Sequence, residues 1–181
     1  MQELIGSYAK TLKVDREIVA PGRVLAAICV VETNGWKNRQ PNFENAYYVG
    51  GRYYSAKAFI QATNKSDPVL RLAMGALMAC SFGPFQIMYT TACELGFEGS
   101  PMELHDPKTN LLMAIRYINK RVLAKMDEKT ERDTVIRIAD GYNTGSPRDR
   151  IRNYDYEYKV WAAYKDDDLY DKLVVLPNYS L

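Results

Sequence analysis

Apolar residues return along this chain at spacings of three and four in one segment after another, and that pattern commits most of it to amphipathic helix. Leu4, Ile5, Tyr8 and Leu12 form the first stripe. Asp15 is placed to cap a short turn through Val19. Pro21 suits a first helical position, and Val24, Leu25, Ile28, Val31 and Glu32 follow at helical period until Gly35 stops the helix. Glu32 therefore stands beside Ile28, four residues earlier, on the inward face. Ser55 to Thr63 read as helix, Asp67-Pro68 opens an apolar helix through Cys80, and Met88 to Leu95 form another, ended by Gly96. Asp106-Pro107 opens a long helix with Leu111, Leu112, Ile115, Ile118, Val122 and Met126 on its buried stripe. Thr130 to Ala139 carry Val135, Ile136 and Ile138, and residues 154–165 make a last amphipathic helix with Val160 and Trp161. The expectation is a mainly α fold of about eight helices. It forms one globular domain over residues 1–181, with residues 166–181 as a tail packed on it.

One stretch breaks the pattern. Residues 36–54 are polar, aromatic and glycine-containing, with Trp36, Pro41, Tyr47, Tyr48, Gly50, Gly51, Tyr53 and Tyr54. They read as a loop or short hairpin about Gly50-Gly51, opening an insertion over residues 36–80.

Composition narrows the function classes. A chain of 181 residues can bury a core without staples. Its 24 Lys and Arg against 22 Asp and Glu give a net charge of +2, too mild a basicity to argue for a nucleic-acid partner. The three cysteines, Cys29, Cys80 and Cys93, have no metal-type spacing and read as thiols in apolar surroundings. The single histidine, His105, excludes a two-histidine zinc site and leaves a cysteine peptidase without a well-placed base. No metal and no cofactor is expected. The first residues, Met1 to Tyr8, lack a basic segment, a continuous apolar run and a cleavage site, and no run approaches a membrane span. The chain is expected to be made in the cytoplasm without a signal peptide, with Met1 opening a complete reading frame.

Three short stretches carry chemistry. Glu32 ends the apolar run Val24 to Val31, where partial burial can keep a carboxylic acid protonated near neutral pH. Ser81-Phe82-Gly83-Pro84-Phe85-Gln86-Ile87-Met88 reads as a Gly-Pro loop between two helices. In it Gly83 permits a sharp turn or a close approach, Ser81 offers a hydroxyl, and Gln86 can both donate and accept. Gly141-Tyr142-Asn143-Thr144-Gly145 ends a helix that Pro147 prevents from continuing. Tyr142 offers a hydroxyl and Asn143 an amide at this turn.

Taken in order, these stretches resemble the lysozyme-like soluble lytic transglycosylases, in the variant common among phage and prophage endolysins and related to goose-type lysozymes. The shared features are a glutamate at a helix end (Glu32), Ser-x-Gly-x-x-Gln-Ile-Met (Ser81 to Met88), Asp-Pro-x-x-Asn (Asp106 to Asn110), Tyr-Asn-x-Gly (Tyr142 to Gly145) and a tyrosine-rich last helix (Tyr154 to Val160). Two positions depart from the usual pattern: Pro84-Phe85 replace Leu-Met, and Gly141 replaces Ala. The interval from Glu32 to Gln86 is also long.

The resemblance implies a lysozyme-like fold and cleavage of the β-1,4 bond between MurNAc and GlcNAc in peptidoglycan glycan strands. Glu32 would be the acid and then the base, and a 1,6-anhydro ring the product. Ser81, Gly83, Gln86, Tyr142 and Asn143 would position substrate. Glu44 is the further carboxylate placed for a catalytic or positioning role, Asp140 reading as a polar helix-end residue, and the insertion tyrosines, Tyr47 among them, suit either stacking on sugar rings or local packing of a long loop. The protein is expected to act as a monomer on the cell wall, without membrane insertion, after release during phage lysis or as part of a virion. Two alternatives stand beside this: a goose-type muramidase hydrolysing the same bond with Glu44 as helper, and an inactive glycan-binding module.

Overall fold

The computed structural model describes residues 1–43, 77–127, 129–147 and 155–176. The chain is mainly helical and divides into two compact units, one of residues 1–38 and 114–181, the other of residues 39–113. The expected helix at 55–63, the part up to residue 76 of the helix expected from Asp67 through Cys80, and the hairpin at Gly50-Gly51 lie outside the described residues, as do Glu44 and Tyr47.

In the first unit, α1 (Gln2–Ala9) and α2 (Pro21–Thr33) are joined by the expected turn, in which Asp15 accepts the N–H of Val19 at its carbonyl and that of Glu17 at its carboxylate. Pro21 opens α2 at a position where no N–H is needed. α2 is apolar on nearly every side, with Val24 to Cys29 all buried. It packs against α6 (Asp155–Lys165), and α6 packs against α5 (Glu131–Thr144). Leu25 and Ile28 from α2, Val135 and Ile138 from α5, and Val160 and Tyr164 from α6 are all 2% exposed or less. Each such side chain contributes about 1.5–3 kcal/mol over its exposed state, which lets α2 hold a polar group at its end.

The second unit contains a three-stranded antiparallel sheet: β1 (Asn42–Phe43), β2 (Cys80–Phe82) and β3 (Ile87–Met88). α3 (Tyr89–Glu94) follows, then a 3-10 turn at Pro101–His105 closed by a capping box between Ser100 and Glu103. α4 (Pro107–Tyr117) begins here and ends in the first unit.

The structure corrects four sequence expectations. Residues 81–88 form a β-hairpin rather than a loop between helices, so Cys80 and Met88 lie in strands. Strands this short carry no alternation to read. Leu112 is 37% exposed, because Leu111, Ala114, Ile115 and Ile118 define the buried face and Leu112 sits off it. The long helix toward Met126 changes character after Tyr117: Ile118–Val122 form a wider π turn and Leu123–Lys125 a 3-10 turn. Both Ile118 and Val122 stay fully buried. Within the wide turn, the Asn119 amide accepts from Lys13 N–H and donates to Thr11 carbonyl, tying down the loop after α1. Finally, α2 is capped by Asn34 in the left-handed conformation, one residue before Gly35.

Candidate active site

The first unit brings Glu32 together with three tyrosines, Tyr117, Tyr142 and Tyr156. Glu32 is the penultimate residue of α2 and is half-buried, as its place after an apolar run implies. The helix end beneath it is closely tied. Asn34 N–H bonds Val30 carbonyl at 2.8 Å, Gly35 N–H bonds Cys29 carbonyl at 3.2 Å, and Thr33 Oγ1 donates to the same carbonyl at 3.0 Å. Thr33 Oγ1 also accepts Trp36 N–H at 2.9 Å, which holds Trp36 at φ 69, a left-handed conformation a bulky residue rarely adopts.

α6 brings Tyr156 to this carboxylate. Its hydroxyl donates to Glu32 Oε1 at 2.6 Å, a short, charge-assisted contact when Glu32 is ionised. Tyr142 lies in the last turn of α5, buried, with its ring edge-on to Tyr117 at 5.6 Å and 90°. The Tyr117 hydroxyl reaches Gly141 carbonyl at 3.4 Å. Burial, and then the charge of Glu32, push the phenols of both Tyr142 and Tyr156 well above 10. The Tyr156 phenol therefore keeps its proton and can donate it to the Glu32 carboxylate.

α5 continues through the Tyr-Asn pair and ends at Thr144, with Gly145 as its left-handed cap. Asn143 is exposed in this last turn. At Gly141 a Cβ would lie 2.6 Å from Val122 Cγ1, which accounts for glycine where the related pattern has alanine. Next to Tyr156, Glu157 is 1% exposed, and neither of its carboxylate oxygens has a hydrogen-bond partner among the described residues. Below Glu32, burial raises the Cys29 thiol to about 12, so it is no nucleophile. Among the described residues, no group of three His, Cys, Asp or Glu could hold a metal ion.

The second unit holds Ser81, Gly83 and Gln86 together in the β2–β3 hairpin. Gln86 N–H closes the turn on Gly83 carbonyl at 3.1 Å. Ser81 Oγ donates to Gln86 Oε1 at 2.7 Å, and Gln86 Nε2 donates to Gly83 carbonyl at 3.0 Å. The Ser81 proton is thus committed to Gln86, while among the described residues the Gln86 amide keeps one N–H and one lone pair. Gln86 itself sits at φ 47. The turn is clamped by Asn110 in the first turn of α4: its Oδ1 accepts Phe85 N–H at 2.8 Å and its Nδ2 donates to Phe82 carbonyl at 2.8 Å, with Asn110 fully buried. Gly83 is required here. Its φ is +71, and a Cβ would lie 2.4 Å from Asn110 Cγ and 2.5 Å from Leu104 carbonyl oxygen.

Tyr156 and Asn110 were not among the site residues expected from sequence. Both were within reach of it, Asn110 as the end of Asp-Pro-Lys-Thr-Asn and Tyr156 in the tyrosine-rich last helix.

The family model of the transglycosylase SLT domain matches residues 57–164, more than half of the chain. The match spans the hairpin, Asn110, Tyr142 and Tyr156, and begins after Glu32. No curated protein and no solved structure matches the chain.

Proposed function

This chain belongs to the transglycosylase SLT domain family, whose substrate is peptidoglycan, and we propose that it cleaves MurNAc–GlcNAc bonds with Glu32 as its one acid and base. The observation that carries the reading is the 2.6 Å bond from Tyr156 to a half-buried glutamate at the end of an apolar helix. Protonated Glu32 gives its proton to the bridging oxygen as the bond from MurNAc C1 to that oxygen breaks, and GlcNAc leaves with a hydroxyl at C4. The Glu32 carboxylate, held by the Tyr156 hydroxyl, then takes the proton of the C6 hydroxyl of the same MurNAc. O6 closes on C1, giving a 1,6-anhydro end and returning Glu32 to its acid form. No water is consumed, so a second carboxylate is not required. Gln86, with one N–H and one lone pair uncommitted among the described residues, suits the amide and hydroxyl groups of an N-acetylated sugar. Asn143, exposed beside Tyr142, is a further substrate contact in this reading.

Digestion of purified peptidoglycan followed by mass spectrometry of the soluble products tests the route. Anhydro-ended muropeptides are expected. Reducing MurNAc ends would overturn the transglycosylase reading in favour of hydrolysis, and Glu44 would be the next carboxylate to mutate. We also place the protein among phage lysins, on the long interval between Glu32 and Gln86.

A further inference from the structure

α2 is pinned along its length by a segment far away in sequence. Past the end of α6, Arg23 Nη2 donates to Asp166 carbonyl at 2.8 Å and to Tyr164 carbonyl at 2.7 Å. Tyr170 lies over the first turn of α2, where a Cβ at Gly22 would meet its hydroxyl at 3.3 Å. At the other end of the helix, Val174 N–H donates to Gly35 carbonyl at 2.9 Å. The approach there is backbone on backbone: a Cβ at Gly35, whose φ is +68, would lie 2.1 Å from Lys172 carbonyl oxygen and 3.0 Å from Leu173 Cα. Between these anchors Leu169 and Leu173 are buried, and Lys172 is ion-paired with Asp166. Arg23 and Gly35 are about 18 Å apart along the helix at 1.5 Å per residue. Asp166 to Val174 therefore form a strap along the whole helix that carries Glu32.

We propose that this strap is a positioning element for Glu32: by fixing Gly35, it sets the carboxylate against Tyr156. The reasoning is geometric. Glu32 lies within one turn of Gly35, and the same carbonyl of Cys29 receives Gly35 N–H and the Thr33 hydroxyl. Movement of Gly35 is transmitted to the last turn of α2 through those bonds. The left-handed run Asn34, Gly35 and Trp36, with φ of 53, 68 and 69, leaves little freedom to absorb it locally. A misplaced acid costs rate without costing substrate affinity, and displacement of a reacting group by about 1 Å can cost up to about 10²-fold.

This inference rests on Glu32 being the acid, and its test separates the two. Val174→Pro deletes the N–H that reaches Gly35, whereas Val174→Ala keeps it. Lys172→Met removes only the ion pair to Asp166. Initial rates on solubilised glycan strands give kcat and KM, with thermal melts alongside. Wild-type turnover tests the proposed function; the variants, compared with one another, test the strap. Val174→Pro should lower kcat about 10- to 100-fold relative to Val174→Ala, and Lys172→Met about 3- to 10-fold, each with KM within about twofold of wild type. Equal kcat in all three variants and wild type would overturn the proposal. So would a fall in melting temperature with full turnover per folded molecule, which is the signature of a merely structural tail. If Val174→Pro does not fold, Lys172→Met decides by the same criteria.

Discussion

Removing one oxygen atom from α6 tests how Glu32 is held. Tyr156→Phe keeps the ring and deletes the hydroxyl that donates to Glu32 Oε1 at 2.6 Å. Hydrogen bonds to a charged group are worth about 1.5–3 kcal/mol, and the lower part of that range applies to a pair that is only half-buried. The bond is strongest to the carboxylate, the form Glu32 takes once it has given up its proton. Its loss therefore raises the barrier, and at 1.36 kcal/mol per decade about 1.5–2 kcal/mol corresponds to a fall in kcat of roughly 10- to 30-fold. The same donor favours the charged form, so its removal should carry the alkaline limb of the pH–rate profile to higher pH. Folding should suffer less, by about 1 kcal/mol. The assay is the initial rate of soluble muropeptide release across pH, with thermal melts in parallel. A kcat within twofold of wild type would refute the reasoning, as would a limb that moves to lower pH.

Two other perturbations follow from the same geometry. Asn110→Ala strands Phe85 N–H and Phe82 carbonyl, both paired with the buried amide, and should cost about 2–5 kcal/mol in denaturant unfolding; a loss under about 1 kcal/mol would mean that the hairpin does not depend on this clamp. Stability should fall as pH rises from 9 toward 12. The unfolded Cys29 thiol loses its proton above its ordinary value of 9.0, while the folded one keeps it to about 12 and the phenols of Tyr142 and Tyr156 keep theirs well past 10. The unfolded state then binds fewer protons, so unfolding becomes easier as pH rises through this window, Cys29 alone accounting for about 4 kcal/mol across it. Cys29→Ala should flatten the decline in urea titrations at pH 8 and pH 11; an unchanged slope would contradict the burial of the thiol.

The helices that are long and strongly periodic were legible in the sequence. Pro21 marks the start of α2, Thr130 caps α5 by accepting Asp133 N–H, and Gly145 closes it, each by a local rule. The hairpin was not legible, because strands of two and three residues have no period and the turn is fixed by Asn110, 24 positions beyond Gln86. Positive φ at Gly83 was foreseeable from its residue type, but that at Gln86 and Trp36 was not, since both are held there by bonds within the fold. At the site, Glu32 and the Tyr-Asn pair stood out by position and motif. Tyr156 did not, because nothing in a tyrosine-rich stretch says which hydroxyl meets a carboxylate on a helix more than a hundred residues earlier. The strap over Gly35 was invisible for the same reason, since its contacts are made largely by backbone.

The claim that Glu32 is the acid and base is tested most directly by Glu32→Gln, assayed for turnover and for binding to insoluble peptidoglycan. The amide keeps the size of the side chain and can still accept from Tyr156, but it has no proton to give at any working pH. Turnover should fall by about 10²–10⁴, while melting temperature and glycan binding stay near wild type. Retention of more than about a tenth of wild-type turnover would contradict the account, since positioned acid–base catalysis alone is worth at least about 10².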